Sequence, residues 1–316
     1  MIPTSASSST SPASHAGVAA IVGRANVGKS SLLNALLGET VSVVSPVAQT
    51  TRRPVRGIFN EPGLQIVFLD TPGIRRATHA LGSLLNRTAR GLVTGTDAVL
   101  LLLDASTPPQ DEDRGWMQKL ARETSPILAV LNKTDLGLRR AAYEAAWAET
   151  LAACCAEEPA FQPPPVAWFE VSATTGAGLP ALLADLRTRM PAAVPLFPTD
   201  VLTDDPGPFF IADVIRVNVN VRLKAELPHA VAVAVDRLEE TDAETKVFAT
   251  IYVEKPSQRP ILIGNHARMI RDIRRAAEKD LAEIYGKPYK LELWIKVEPN
   301  WSRNYWLLKK FGYVGA

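Results

Sequence analysis

The 316-residue chain has only two cysteines, Cys154 and Cys155, and they are adjacent. Adjacent thiols neither form an ordinary disulfide nor show zinc-ligand spacing, so no cross-linked framework and no cysteine metal centre organises the fold. Two free thiols fit a reducing compartment and a cytoplasmic protein. Long hydrophobic runs are missing as well: a stretch such as Ala98–Leu103 is the length of a strand, not of a membrane span. Met1–His15 is built of Ser, Thr, Pro and Ala with neither a charged n-region nor an apolar h-region. It therefore reads as a disordered tail, assigned to residues 1–16, rather than as a signal peptide. A dominant charge is absent too, the net value being +2. The charge is nonetheless uneven. Lys255–Ala316 carries 13 Lys and Arg against 6 Asp and Glu, a net of +7 that leaves −5 for the remainder. A basic last third points to a polyanionic partner, although many basic helices are only solvated faces. With 47% hydrophobic and 22% charged residues, the chain has an ordinary soluble composition and enough length for two cores.

What the sequence does contain is a phosphate-binding loop. Residues 23–30 read Gly-Arg-Ala-Asn-Val-Gly-Lys-Ser, the spacing G-x-x-x-x-G-K-[ST]. The preceding Gly17–Val22 is a short apolar strand, and Ser31–Leu37 has helical apolar spacing before Gly38. Backbone N–H groups of such a loop face phosphates, and the helix N-terminus adds partial positive charge. Lys29 is placed to reach the β- and γ-phosphates and the Ser30 hydroxyl to sit on Mg²⁺.

Four further elements follow in order. Strand-like Ile66–Leu69 ends in Asp70-Thr71-Pro72-Gly73, where the carboxylate can hold the Mg²⁺ water shell and the Gly73 N–H can meet a γ-phosphate. Gln49-Thr50-Thr51-Arg52 is a polar stretch that either closes over Mg²⁺ or is a plain surface turn. Asn132-Lys133-Thr134-Asp135 follows the apolar strand Ile127–Leu131. One carboxylate, Asp135, can accept both the N1–H and N2–H₂ of guanine, a donor pair that adenine lacks. Lys133 would lie over the base and Asn132 would tie this loop to the phosphate-binding segment. Val166–Val171 runs into Ser172-Ala173, whose backbone N–H can meet guanine O6.

This series resembles the TrmE/Era/EngA group of bacterial GTPases over residues 17–190. The resemblance implies a mostly parallel sheet flanked by helices, an α/β P-loop domain that binds and hydrolyses GTP to GDP at the strands' C-terminal ends. It implies a nucleotide site of Gly23, Asn26, Val27, Gly28, Lys29, Ser30, Ser31, Asp70, Gly73, Asn132, Lys133, Asp135, Ser172 and Ala173. Lys29, Thr51 and Gly73 would act on the γ-phosphate. Mg²⁺ would be held by Ser30, Thr51 and Asp70, with Thr51 preferred to Thr50 on the family's T-T-R pattern. Asn26 would ligate K⁺ or merely tolerate the loop's conformation. Ile74 stands where Ras-like proteins carry a water-orienting glutamine, so intrinsic turnover should be slow.

A composition shift follows. Pro191, Pro195, Pro198 and the run Thr203-Asp204-Asp205-Pro206-Gly207-Pro208 mark a linker of limited flexibility. The expected division is a GTPase domain at 17–195, a linker at 196–208 and a second domain at 209–316. Val217–Val221 alternates like a strand, but Phe209–Leu223 matches a family helix and is assigned as one. Strands at Val231–Val235, Lys246–Val253 and Leu291–Val297, a helix at Arg268–Tyr285 and a closing helix at Trp306–Phe311 complete the order. This order resembles an α+β type II KH domain, which binds single-stranded RNA by bringing a GXXG turn to the backbone. The implied RNA contacts are Gly264, Asn265, His266, Arg268, Arg271, Arg274 and Arg275. Ala267 replaces the second glycine, so either the helix starts a residue early or the clamp is weakened.

Pro299-Asn300-Trp301 and Phe311-Gly312-Tyr313 resemble the C-terminal signature of the Era family. That resemblance implies a monomer that binds the 3′ end of 16S rRNA and serves maturation of the 30S ribosomal subunit, with peripheral inner-membrane association. Two other readings remain: an RNA-binding assembly module whose guanine-nucleotide site is mainly structural, and a tRNA-modifying GTPase like TrmE. The KH-like domain and the lack of a C-terminal reactive cysteine argue against the latter.

Overall fold

The computed structural model describes residues 14–45, 51–73, 80–158, 160–223 and 230–314. The first half alternates strands and helices: β1 His15–Val22, α1 Lys29–Leu37, β2 Val55–Glu61, β3 Leu64–Asp70, α2 Ala80–Gly91, β4 Ala98–Asp104, α3 Asp111–Leu120, β5 Ile127–Asn132, α4 Arg140–Glu157, β6 Val166–Glu170 and α5 Leu179–Arg189. The sheet order is β2-β3-β1-β4-β5-β6, parallel throughout except for β2, which pairs antiparallel with β3. β4 explains its own composition. Leu100 and Leu102 enter one core with Leu32, Leu33, Leu182 and Leu186, whereas Val99, Leu101 and Leu103 enter the other with Trp116, Met117 and Tyr143. A strand covered on both faces needs a continuous apolar run. Edge strand β2 has an exposed Arg56 and Glu61, and this weak pattern gave no strand signal in the sequence.

Two expected boundaries are corrected. β1 begins at His15, inside the segment assigned to the tail, because Ser14 and His15 are tied to the end of the domain. Ser14 Oγ donates to Ala193 O at 2.8 Å and His15 bridges Ala192. The linker ends early because α6 spans Gly207–Arg222, with Pro208 in the first turn where its missing N–H costs nothing. The period-2 pattern within α6 does not mark a strand. Asn218 and Asn220 are buried on a helix whose residues 210–220 are nearly all buried, and Asn218 Nδ2 donates to Val214 O at 3.1 Å and Asp280 Oδ2 at 2.6 Å.

The second unit continues with β7 Val231–Glu240, β8 Thr245–Val253, α7 Gln258–Ile263, α8 Arg268–Tyr285, β9 Tyr289–Val297 and α9 Tyr305–Lys310. β7 and β8 are antiparallel, β8 and β9 parallel. β7 alternates between two cores. Val231 and Val233 face α6 and α8, whose Ile215, Val219, Ile273, Ala277 and Leu281 fill that side. Ala232 and Ala234 face Trp301, Leu308, Phe311 and Tyr313, together with Leu81 and Leu85 of α2.

The linker is pinned rather than loose. Buried Gln65 accepts from the N–H groups of Leu196 and Phe197 at 2.6 and 2.9 Å and donates to Phe197 O at 2.8 Å. Leu202 O accepts from Ile58 N–H at 2.8 Å. Gln65→Leu leaves those backbone groups without their partner, at a cost of roughly 1–3 kcal/mol. Chemical denaturation should show that loss and limited proteolysis should show faster cleavage at residues 196–205; an unchanged cleavage pattern would mean that Gln65 does not hold the linker.

Candidate nucleotide and RNA sites

The phosphate loop leaves β1 at the sheet's C-terminal edge and ends at the start of α1. Asn132, the last residue of β5, fixes it from the side: its Nδ2 donates to Val27 O at 2.8 Å while its Oδ1 accepts from Ala173 N–H at 3.0 Å. A side chain at Gly28 would place Cβ 2.4 Å from the Asn132 amide, so only glycine permits this approach. Buried Val27 closes the loop's underside. Lys29 is buried, and its Nζ donates to Arg24 O at 2.8 Å and Gly23 O at 3.3 Å. Burial lowers its pKa to about 8, with Asp70 opposing that fall. A phosphate is the stronger acceptor and would take the ammonium from these carbonyls.

Asp70 ends β3 and is fully buried. Its Oδ2 accepts from Ser30 Oγ at 2.6 Å, Ser42 Oγ at 3.0 Å and Thr51 Oγ1 at 3.5 Å, while Oδ1 has no hydrogen-bond partner among the described residues. Burial pushes the carboxyl up, against the pull of Lys29 and the three hydroxyls. Ser30 Oγ and Thr51 Oγ1 are 3.0 Å apart. Two hydroxyls and an unfilled buried carboxylate oxygen are a hard, all-oxygen donor set that fits Mg²⁺. Thr50 and Ile74 lie outside the described residues; Thr51 lies beside Ser30. Gly73 faces the loop so closely that a Cβ would lie 2.7 Å from Ala25 Cα and 2.8 Å from Lys29 Nζ. Gly28, Lys29, Ser30, Thr51 and Gly73, with Asn26, Ser31, Val43, Val44, Ser45 and Lys133, line an open cavity of about 340 Å³.

At the base end, Thr134 Oγ1 donates to Val171 O at 3.0 Å and sets the loop, and Asp135 is exposed at its tip. Lys133 Nζ donates to Asn26 O at 2.8 Å and Asp104 Oδ2 at 2.7 Å. In the structure, Ser172 N–H donates to Ala177 O at 3.0 Å and Ala173 N–H to Asn132 Oδ1 at 3.0 Å. Asn26 has φ 64, the left-handed conformation that asparagine tolerates. Sequence reading missed Asp104, Arg24 and Ser42. Asp104 carried a usable signal, since it ends an apolar strand as Asp70 does.

In the second unit, Gly264 has φ 69, followed by His266 at φ 48 and Ala267 at φ 57. α8 starts at Arg268, not earlier, so the turn is kept with an alanine in a left-handed conformation. Arg271 folds back on this turn, its Nη2 donating to His266 O at 2.8 Å and its Nε to Ala267 O at 3.2 Å. Asn265, His266, Arg268, Arg274 and Arg275 are exposed along the turn and the following helix. Arg271, Arg274 and Ile270 face Leu291, Glu292, Leu293 and Trp294 of edge strand β9 across a groove of about 300 Å³. Trp294, which sequence reading passed over inside its strand, is 50% exposed and stacks on Phe248.

Comparison with known proteins follows this division. A family model described as a 50S ribosome-binding GTPase matches residues 18–133, and a KH-domain model matches 226–302. GTPase Era of Synechocystis sp. is 38% identical over 94% of this chain and 92% of its own length. GTPase Era of Geotalea daltonii is 37% identical over 95% and 98%. The chain belongs to the Era family of GTPases. Among solved structures, a variant of Aquifex aeolicus Era bound to GDP·AlF₄⁻ superposes with TM-score 0.78 at 32% identity, covering 95% of this chain and 99% of that one. Era in complex with MgGDPNP and nucleotides 1506–1542 of 16S ribosomal RNA gives 0.79 at the same identity and coverage.

In this Era-family chain Arg52 and Arg53, next to Thr51, and helix α2 all pack against the KH domain. Arg52 Nη1 donates to Val231 O at 2.7 Å, and its guanidinium lies over the Tyr313 ring. Arg53 pairs with Asp205 through both guanidinium nitrogens and with Asp213 at 3.3 Å, with Phe209 packed against it. Beyond Gly73, Leu81 and Leu85 of α2 pack with Ala232, Tyr252 and Trp301. Among the described residues no helix is long and apolar enough to cross a membrane.

Ala267→Gly should relieve the strained turn. The left-handed cost of about 1–2 kcal/mol, less the added unfolded-state entropy of about 0.4–1, leaves a net gain of about 0.5–1 kcal/mol. Thermal unfolding should show it, and RNA affinity should rise; a destabilised variant would contradict the assignment.

Proposed function

We propose that this chain uses GTP hydrolysis to time its hold on the 3′ end of 16S rRNA during maturation of the 30S subunit. The observation that carries this reading is the run Thr51-Arg52-Arg53. Its first residue lies at the hydroxyl and carboxylate cluster of the phosphate site, and the next two are buried against the KH domain. The rRNA target is carried over from the Era complex with nucleotides 1506–1542, and the transition-state analogue on another Era supports turnover.

In this reading Lys29 neutralises the β/γ-phosphates, the Gly73 N–H contacts the γ-phosphate, and Asp135 accepts the two guanine donors. Ser30, Thr51 and Asp70 hold Mg²⁺, which supplies charge neutralisation between the phosphate oxygens. Asn26 provides a place for K⁺ beside the phosphates. Ile74 cannot hydrogen-bond the attacking water, so the intrinsic rate is slow and the bound state lasts. While the γ-phosphate is present, Thr51 and Gly73 stay fixed, and through Arg52, Arg53 and α2 they fix the KH domain. The exposed α8 arginines and the β9 groove then hold single-stranded RNA, and loss of the γ-phosphate releases the arrangement. Cytoplasmic location, a monomeric state and peripheral contact with the inner membrane are carried over from the resemblance.

The test is GTP turnover by the full chain in KCl, with a strand matching the rRNA 3′ end or its scramble. The matching strand should accelerate a slow basal rate several-fold, and Arg53→Lys should keep that basal rate but lose most of the acceleration. Turnover indifferent to RNA removes the timing role, and no turnover under any condition leaves the nucleotide site a structural one.

A further inference from the structure

Asp104 ends β4 beside Asn132 in the sheet register, at the same level as the groups that hold the nucleotide, yet it is assigned no part in binding it. Its side chain is only 7% exposed. Oδ1 accepts from Ser106 Oγ at 2.6 Å and from Ser106 N–H at 3.2 Å, which fixes the carboxylate plane. Oδ2 then faces two cations from different motifs: Lys133 Nζ at 2.7 Å and Arg24 Nη2 at 3.6 Å. Lys133 belongs to the loop after β5 and Arg24 to the phosphate loop. The Lys133 ammonium also donates to Asn26 O, so it bridges the phosphate loop and the end of β4.

The two cations depend on Asp104 to different degrees. Arg24 has other anchors: Asp113 at 3.0 Å, on a buried carboxylate fixed by Gln110 N–H, and Thr107 Oγ1 at 2.9 Å. Lys133 has only a neutral carbonyl besides Asp104 among its described hydrogen bonds, and its backbone sits at φ 66. A non-glycine residue keeps that conformation only where its surroundings hold it. With the ammonium tied down at its far end, the four-carbon stem of Lys133 is held against the mouth of the cavity it lines.

We propose that Asp104 is a positioning residue of the guanine site, holding Lys133 and Arg24 so that the base-reading and phosphate loops close on the nucleotide as one unit. This rests on the reading of Asn132–Asp135 as the base-reading loop. Because Arg24 keeps Asp113 and Thr107, loss of the Asp104 charge loosens the base loop and spares the phosphate loop. The consequence is weaker guanine-nucleotide binding with unchanged chemistry at saturation.

The test uses Asp104→Asn, which keeps the shape and removes the charge. Affinity for GDP should fall about tenfold or more, the scale of one charge-assisted hydrogen bond. KM for GTP should rise with kcat retained, and affinity for inorganic pyrophosphate, which meets only the phosphate loop, should be unchanged. Combined with Lys133→Ala, the second substitution should add little to the first. GDP affinity equal to that of the unsubstituted protein overturns the proposal, and so does a parallel loss for GDP and pyrophosphate with a lowered melting temperature. Asp135→Asn separates the two levels: if that variant keeps its GDP affinity, the base-reading assignment itself fails, whatever Asp104 does.

Discussion

The buried pairing of Arg53 with Asp205 and Asp213 is the contact on which the relation between the two domains depends. A guanidinium taken out of water is tolerated only with charged partners, and removing one side of such a pair typically costs about 3–5 kcal/mol. Arg53 is two residues from Thr51, and two residues of extended chain span at most about 7 Å. A displacement of Thr51 from Ser30 and Asp70 therefore has only two residues of backbone between it and the ion pair. Arg52, between them, is buried and bonded to the first carbonyl of β7. Thr51 and the KH domain are joined by the shortest link a polypeptide can make.

A second path runs in parallel. Gly73 lies against the phosphate loop, and α2, seven residues on, contributes Leu81 and Leu85 to the core shared with Trp301 and Phe311. That face of the KH sheet is thus completed by a helix of the GTPase domain, while the opposite face, with α8 and the groove along β9, carries the exposed arginines. The polar path fixes α6 and the linker, and the apolar path fixes the sheet. Both begin at groups that would sense a γ-phosphate.

The residues that sequence made legible are those placed by a local rule. Asp70 and Asn132 close apolar strands, and Lys29 and Ser30 open a helix after a glycine-rich loop, so strand, loop and function could be read together. The helix of Phe209–Leu223 was harder, because Asn218 and Asn220 mimic strand alternation and the burial of Asn218 is explained only by a distant partner, Asp280. Arg52 and Arg53 were illegible for the same reason. Adjacent arginines in a polar stretch look like a solvated turn, and their partners Val231, Asp205 and Asp213 lie more than 150 residues away in sequence. Ala267 was legible as a problem but not as its solution: the structure keeps the turn and accepts the strain.

The most direct measurement is the affinity of the full chain for a short single strand matching the 3′ end of 16S rRNA, compared with its scramble, in the presence of GDP and of a non-hydrolysable GTP analogue. A coupling carried by Thr51, Arg52 and Arg53 predicts that the matching strand binds about tenfold or more tightly with the GTP analogue, with the scramble weak in both states. Equal affinity for the matching strand in the two nucleotide states would contradict the account.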